Sequence, residues 1–439
     1  KTHGIVAEFR ERQAKDDKAQ PTTIQRHAMD AQSAAMTVAQ FREEMHFPIV
    51  PQADTPEFRT VCVGHAAPGL EDVQTALVTF INTYKAGEDP TAAVNALAAA
   101  LQAQAPLAEA TARSVSLEYF YNHHKPWRKA AIGAVLALLL LLARWILRLK
   151  VFGYLAGVAV LWVILEQVLG FTLRTIILGH APVTNTYEVI LWIGLVALVC
   201  GVIGQAFNRK AYYLVTGLVA SLISLLFAQL VPLSSQTNAI PAVLRSNYWL
   251  IIHVMTICAS YGAFLLSAVL GHAFLVRDVL LRRKPDPEAR LVVQIYRTMQ
   301  VGLILLIAGT ILGGVWAAES WGRFWGWDPK ETWSLIAIVV YFVMLHARYC
   351  GWIKDFGLAV ASIIGFMSIV WCFYGVNYVM ATGLHSYGFG TGGEVWVGVW
   401  GGIEIIFVAI CFLMARMAKE PPTRGDEPSA QQATPAPTT

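Results

Sequence analysis

The sequence predicts an all-α, polytopic membrane helix bundle of about nine spans, preceded by an extracytoplasmic, mostly helical domain. Two observations carry this. The 439 residues are 56% hydrophobic and only 14% charged, with a mean hydropathy of +0.51. A soluble chain of that size needs more charge to cover its surface. The second observation is a series of apolar runs, each near the ~20 residues that cross a ~30 Å hydrocarbon core as a helix. They lie near 130–148, 152–178, 187–207, 211–232, 248–275, 298–317, 332–350, 357–380 and 397–416.

The elements follow in order. Residues 1–125 read as an extracytoplasmic soluble domain, charge-rich to Gln20 and Ala/Leu-rich with helical spacing from Glu71 to Ala112. Its His65, His123 and His124 have no ligand partner at recognisable spacing and read as solvated or interfacial. Residues 126–418 form the transmembrane domain, and 419–439, rich in Pro, Thr, Ala and Gln, read as a disordered cytoplasmic tail. The chain begins at Lys1 without a recognisable signal peptide, so an upstream segment is expected.

Charge sets the expected orientation. Arg144, Arg148, Lys150, Arg209, Lys210, Arg277, Arg282, Arg283, Lys284, Arg290, Arg348, Lys354, Arg416 and Lys419 fall at alternate turn-rounds. By the positive-inside rule these ends are cytoplasmic, and the 319–331 and 381–396 loops lie outside. Arg128 and Lys129 run against the trend but do not outweigh four basic loops. The net charge of +4 carries no nucleic-acid signal. The six cysteines form neither CxxC nor CxxCH, which excludes a c-type cytochrome and a CxxC oxidoreductase.

One outer loop holds Trp316, Trp321, Trp325, Trp327 and Trp333, with Phe324, in a short segment. Glycines between them let the backbone approach a flat surface. Arg323 and Lys330 are suited to propionate carboxylates. An aromatic belt in the headgroup layer is the competing reading. Asp328 precedes Pro329 and shapes the turn, with Glu331 just beyond. His253, near the outer end of its span, and His385, in a Gly-rich outer loop, flank this segment in sequence. Neutral imidazoles are suitable axial ligands for haem iron. His253 taken singly also fits a satisfied core histidine. His346 falls about 22 Å below the outer loop, in the cytoplasmic half of its span. An ionisable side chain there is a functional candidate, with an interfacial position near Arg348 as the alternative. His272 reads as interfacial. Glu166 and Glu404, inside apolar spans, are expected to pack or hydrogen-bond there rather than pass protons or haem.

The segment from Trp321 through Trp325, Trp327, Asp328 and Glu331 to Trp333 resembles the tryptophan-rich WWD motif of the haem-handling superfamily. Its surroundings are similar to the CcsA/ResC branch, the System II cytochrome c synthases. The stretches His180–Glu188, Arg245–His253 and Gly383–Gly388 resemble signatures of that branch. The similarity runs from about Trp127 to Arg416. It implies haem b as cofactor, with iron ligands His253 and His385 outside and His346 within the membrane. Trp316, Trp321, Arg323, Trp325, Trp327, Asp328, Lys330, Glu331 and Trp333 would surround the ring. It implies a bacterial inner (plasma) membrane location. It also implies a CcsB/ResB-like membrane protein, apocytochrome c and a thiol-reducing thioredoxin-like protein as partners. The implied function is haem export and covalent attachment to CxxCH apocytochromes, a holocytochrome c synthase (haem lyase) type activity. A haem exporter serving a separate synthase, and a b-type electron-transfer subunit, are the alternatives.

Overall fold

The computed structural model describes residues 46–51, 58–63, 68–104, 109–207, 212–230, 247–282, 291–380 and 394–417, with Gln25, Ala28, Met29 and Gln32 near the N-terminus. It divides into two compact units, Lys1–Ser116 and Leu117–Thr439.

In the first unit, β1 (His46–Pro51) pairs antiparallel with β2 (Phe58–Cys62), with a register shift between Pro48 and Val50. This hairpin is absent from the mostly helical expectation, because two short strands give little periodic signal. Helix α1 (Glu71–Ala86) ends at Gly87, whose φ of 73° suits the left-handed stop. Helix α2 (Thr91–Gln104) starts where Asp89 Oδ1 accepts from the Thr91 amide at 3.0 Å. Val50, Val61, Leu70, Val73 and Leu77 form the core of this unit. Helix α3 (Glu109–His124) leads into the second unit.

Among the described residues, nine helices are long and apolar enough to cross a membrane, and they coincide with the nine runs read from the sequence. They are built from α4 (Pro126–Leu147), α5 (Lys150–Leu178), α6 (Thr186–Phe207), α7 (Tyr212–Leu230), α8 (Met255–Phe274), α9 (Leu291–Trp321), α10 (Pro329–Tyr349), α11 (Asp355–Val370) and α12 (Glu394–Met417). The protein is therefore a multi-pass helical membrane bundle. One core gathers Trp127, Ala134, Val163, Leu191 and Leu218. A second gathers Phe264, Leu266, Ile295 and Tyr341, where the Phe264 and Tyr341 rings stack at 3.8 Å. Alternation of the spans places α9's end and α10's start at one end of the bundle, here the motif end.

Among the described residues, three π-helical segments interrupt the α geometry: Leu250–Val254 before α8, Leu275–Leu280 after it, and Trp371–Met380 after α11. A π turn holds one extra residue, so flanking side chains rotate by about 100° relative to an α-helix, and such turns gather at functional sites. His253 sits in the first and Asn377 in the third.

Polar pairs also join the spans. Arg174, 5% exposed, donates to Glu188, fully buried, at 2.6 Å. Glu166 accepts from Trp162 Nε1 at 3.0 Å and lies 2.7 Å from His124 Nε2. The Lys129 ammonium stands 2.9 Å from His124 Nδ1. Lysine only donates there, so Nδ1 accepts and Nε2–H donates to Glu166. His124 is thus half-buried and engaged, not solvated; its partner lies too far away in sequence for spacing to reveal it. His272 also has a partner that spacing does not show. It meets Glu404 at 2.8 Å and stacks on Phe407 within the span. Glu166 and Glu404 each have the hydrogen-bond partner expected of them.

Candidate functional site

The Trp-rich loop is folded by the start of α10. Asp328 is the N-cap residue, and its Oδ1 accepts from the Lys330 amide at 2.8 Å. Pro329 at the first helical position already has the φ a helix needs. Glu331 completes a capping box and does more. Its Oε2 accepts from the Gly326 amide at 2.7 Å and the Asp328 amide at 3.2 Å, and its Oε1 from Arg323 at 3.3 Å. One nearly buried carboxylate thereby ties both ends of residues 323–331 together. Trp327 takes φ of 56°, a left-handed conformation that costs a non-glycine residue about 1–3 kcal/mol. The Glu331 bonds on either side hold it. The result presents Trp327 at 68% exposure, edge-on to Trp325 at 5.9 Å.

Below the loop lies a cavity of about 150 Å³ lined by His253, Trp316, Phe324, Trp325, Lys330 and Asn377, among others. His253 Nδ1 is 2.8 Å from the Gly309 carbonyl, and Trp316 stands against its ring at 5.7 Å. A carbonyl only accepts, so Nδ1 carries a ring hydrogen. Trp249, one residue before the π turn, donates to Glu319 at 2.7 Å and fastens that turn to the end of α9. The opposite wall is Val183–Thr186. Glu188 accepts from both the amide and the hydroxyl of Thr184 at 2.9 Å, and Asn185 caps α6 by accepting from the Glu188 amide at 2.9 Å. Thr186 and Tyr378 hydroxyls meet at 2.7 Å, joining this wall to the third π segment.

The structure brings together His253, Trp316, Trp325, Lys330 and Glu331 around the cavity, with Trp321, Arg323, Trp327 and Asp328 in the loop beside it. Trp333 faces Trp371 at 5.7 Å instead. The two cations expected to meet carboxylates have protein partners. Arg323 reaches Glu331 and lies over the Trp321 ring, while Lys330 Nζ donates to Asn377 Oδ1 at 2.9 Å. His385 lies outside the described residues. His346 is apart from this group and faces outward from α10, exposed, with Phe342 stacked on it at 5.5 Å. Its Nδ1 donates to the Phe342 carbonyl at 2.8 Å. Sequence reasoning did not single out Gly309, Gly313, Thr184 or Asn377 as part of the site. Only the resemblance around His180–Glu188 pointed near Thr184.

These residues suit a flat, iron-bearing, largely apolar ring. The side chains supply an imidazole held at Nδ1 by the Gly309 carbonyl. Gly313 and Gly314 leave open the floor that any side chain would fill: a Cβ there would lie 2.6 Å from the His253 and Phe324 rings, respectively.

A family model described as cytochrome C assembly protein matches residues 183–385. The chain is 38% identical over 249 residues to protein NrfI of Wolinella succinogenes, covering 55% of this chain and 26% of that protein. It is 34% identical over 245 residues to the cytochrome c biogenesis protein CcsA of Mesostigma viride, covering 48% of this chain and 79% of that protein. It is 36% identical over 252 residues to CcsA of Prochlorococcus marinus strain NATL2A, covering 48% and 77%. The chain thus spans about a quarter of the length of NrfI and over three quarters of these CcsA proteins.

Proposed function

The chain belongs to the CcsA family of cytochrome c biogenesis proteins, and from that premise we propose that it presents haem b to CxxCH apocytochromes and promotes its covalent attachment. The observation that carries this is His253, its tautomer assigned by Gly309, opening with Trp316 and Trp325 on a cavity under the Trp-rich loop.

Haem is the substrate here. Each cysteine thiol adds across one vinyl group: a C–S bond forms, the thiol hydrogen ends on the other vinyl carbon, and no electrons enter or leave. Thiols kept reduced by a thioredoxin-like protein satisfy that balance. The protein's part is placement, which alone lowers such barriers by several kcal/mol. His253 and His385 hold the iron from either side, the tryptophans flank the ring, and the exposed Trp327 faces the arriving apocytochrome. The motif end is the outer face of a bacterial inner membrane, and the basic ends are cytoplasmic.

His253→Ala and His385→Ala are each expected to turn the low-spin haem b spectrum high-spin, or lose the haem, and to stop thioether formation. Optical spectra of the detergent-purified protein and a holocytochrome assay on co-expression read both. A wild-type spectrum and full yield in either variant removes that histidine from the iron. Attachment needing a second, separate synthase makes the chain an exporter instead.

His346 is assigned to haem in transit. Its ring is exposed on the outside of α10, so its counterpart on the iron comes from another membrane chain, of CcsB/ResB type. His346→Ala is expected to lower both co-purified haem and holocytochrome yield, with imidazole partly restoring them. Normal haem content in this variant takes His346 off the route.

A further inference from the structure

Among the described residues, three groups stand against the His253 imidazole. The Gly309 carbonyl takes its Nδ1 hydrogen at 2.8 Å. Trp316 stands edge-on at 5.7 Å. Gly313, one turn beyond Gly309 on α9, closes off another side: a methyl carbon added there would sit 2.6 Å from Cε1 and 3.2 Å from Nε2. Contacts under 3.0 Å to a ring held on its other sides cannot be relieved by small shifts. Gly309 is equally required, since a Cβ on it would lie 2.8 Å from Ile257 Cα and push α9 away from the π turn that carries His253.

We propose that the Gly309 carbonyl and Gly313 are positioning groups for His253, the first setting its tautomer and donor strength and the second its ring plane. This rests on the haem reading above. An N–H···O=C bond on one nitrogen makes the other a stronger donor to a metal and fixes the ring against rotation. The π turn rotates His253 into that cradle, and the two glycines, four positions apart on one face of α9, make the cradle deep enough to receive it. Both are positioning residues, neither being expected to touch the iron.

The test uses the full chain, purified with the haem it acquires in cells. Gly313→Ala is expected to weaken haem retention about 10- to 100-fold and to shift the low-spin electron paramagnetic resonance signal. Gly157→Ala, at a helical glycine with nothing within 4 Å, should change neither. A second measurement does not require Gly313→Ala to fold. In His253→Gly, imidazole can donate to the Gly309 carbonyl and 1-methylimidazole cannot. Imidazole should therefore restore the low-spin spectrum at a concentration about 3- to 10-fold lower. Equal potency of the two ligands overturns the role of Gly309, and a folded Gly313→Ala with wild-type signal and retention overturns that of Gly313. If His253→Gly keeps the wild-type spectrum with no added ligand, the haem-site reading itself falls, and this proposal with it.

Discussion

Glu331→Ala is expected to abolish holocytochrome formation while leaving the nine-span bundle in the membrane. The side chain serves three donors at once, from Gly326, Asp328 and Arg323. Removing it strands two loop amides, each costing about 1–3 kcal/mol, and breaks a capping box worth about 1 kcal/mol. That is enough to release the left-handed Trp327 and loosen residues 322–328. Because α10 buries its own Ala337 and Tyr341 fully, the latter stacked on Phe264, the span itself survives. The check is trypsin added to the motif side of spheroplasts. Cleavage after Arg323 should become rapid in the variant while total protein stays at wild-type level. Glu331→Gln keeps one acceptor oxygen and should be intermediate. An uncut Glu331→Ala loop with normal holocytochrome yield would show that the carboxylate does not organise it.

The second large effect concerns Arg174 and Glu188. Breaking a buried ion pair by removing one partner leaves an uncompensated charge and typically costs about 3–5 kcal/mol, whereas replacing both with apolar residues is often close to neutral. Arg174→Met and Glu188→Leu should each lower the detergent melting temperature and the membrane level sharply. The double variant should regain most of both. Haem retention should not recover with it, since the double variant still lacks the acceptor that fastens Thr184 and the cavity wall. Melting curves by fluorescence size exclusion, beside haem-to-protein ratios, separate the two effects. Additive single-variant losses in the double variant would mean that the pair acts as two independent contacts.

The spans were legible because the hydrocarbon core imposes a length on every helix, and nothing local competes with that signal. The Trp loop was legible as composition, and its fold nearly so, since Asp328, Pro329 and Glu331 spell an N-cap, a first helical proline and a capping box. What escaped was longer in range. Gly309 meets His253 across 56 positions, and His272 meets Glu404 across 132. A histidine's partner at such separation leaves no trace in spacing, so the Glu166 and Glu404 partners of His124 and His272 stayed hidden. The π turn at Leu250–Val254 was equally hidden: it changes which way His253 points without changing its apolar neighbours. Arg323 and Lys330 read as free cations because their partners, Glu331 and Asn377, become neighbours only once the loop closes on α10 and the third π segment.

The His272–Glu404 contact has an electrical consequence. His272 Nδ1 gives its hydrogen to the Ala268 carbonyl at 2.8 Å, so a single proton lies between Nε2 and the carboxylate. Wherever along that line the proton rests, the two residues sum to zero charge. A full charge moved across the bilayer would feel about 2.3 kcal/mol for every 100 mV; this pair, taken whole, feels none. Among the nine described spans, the one with the smallest buried share, 6%, is thus fastened to α8 by a pair that adds no net charge to the membrane interior.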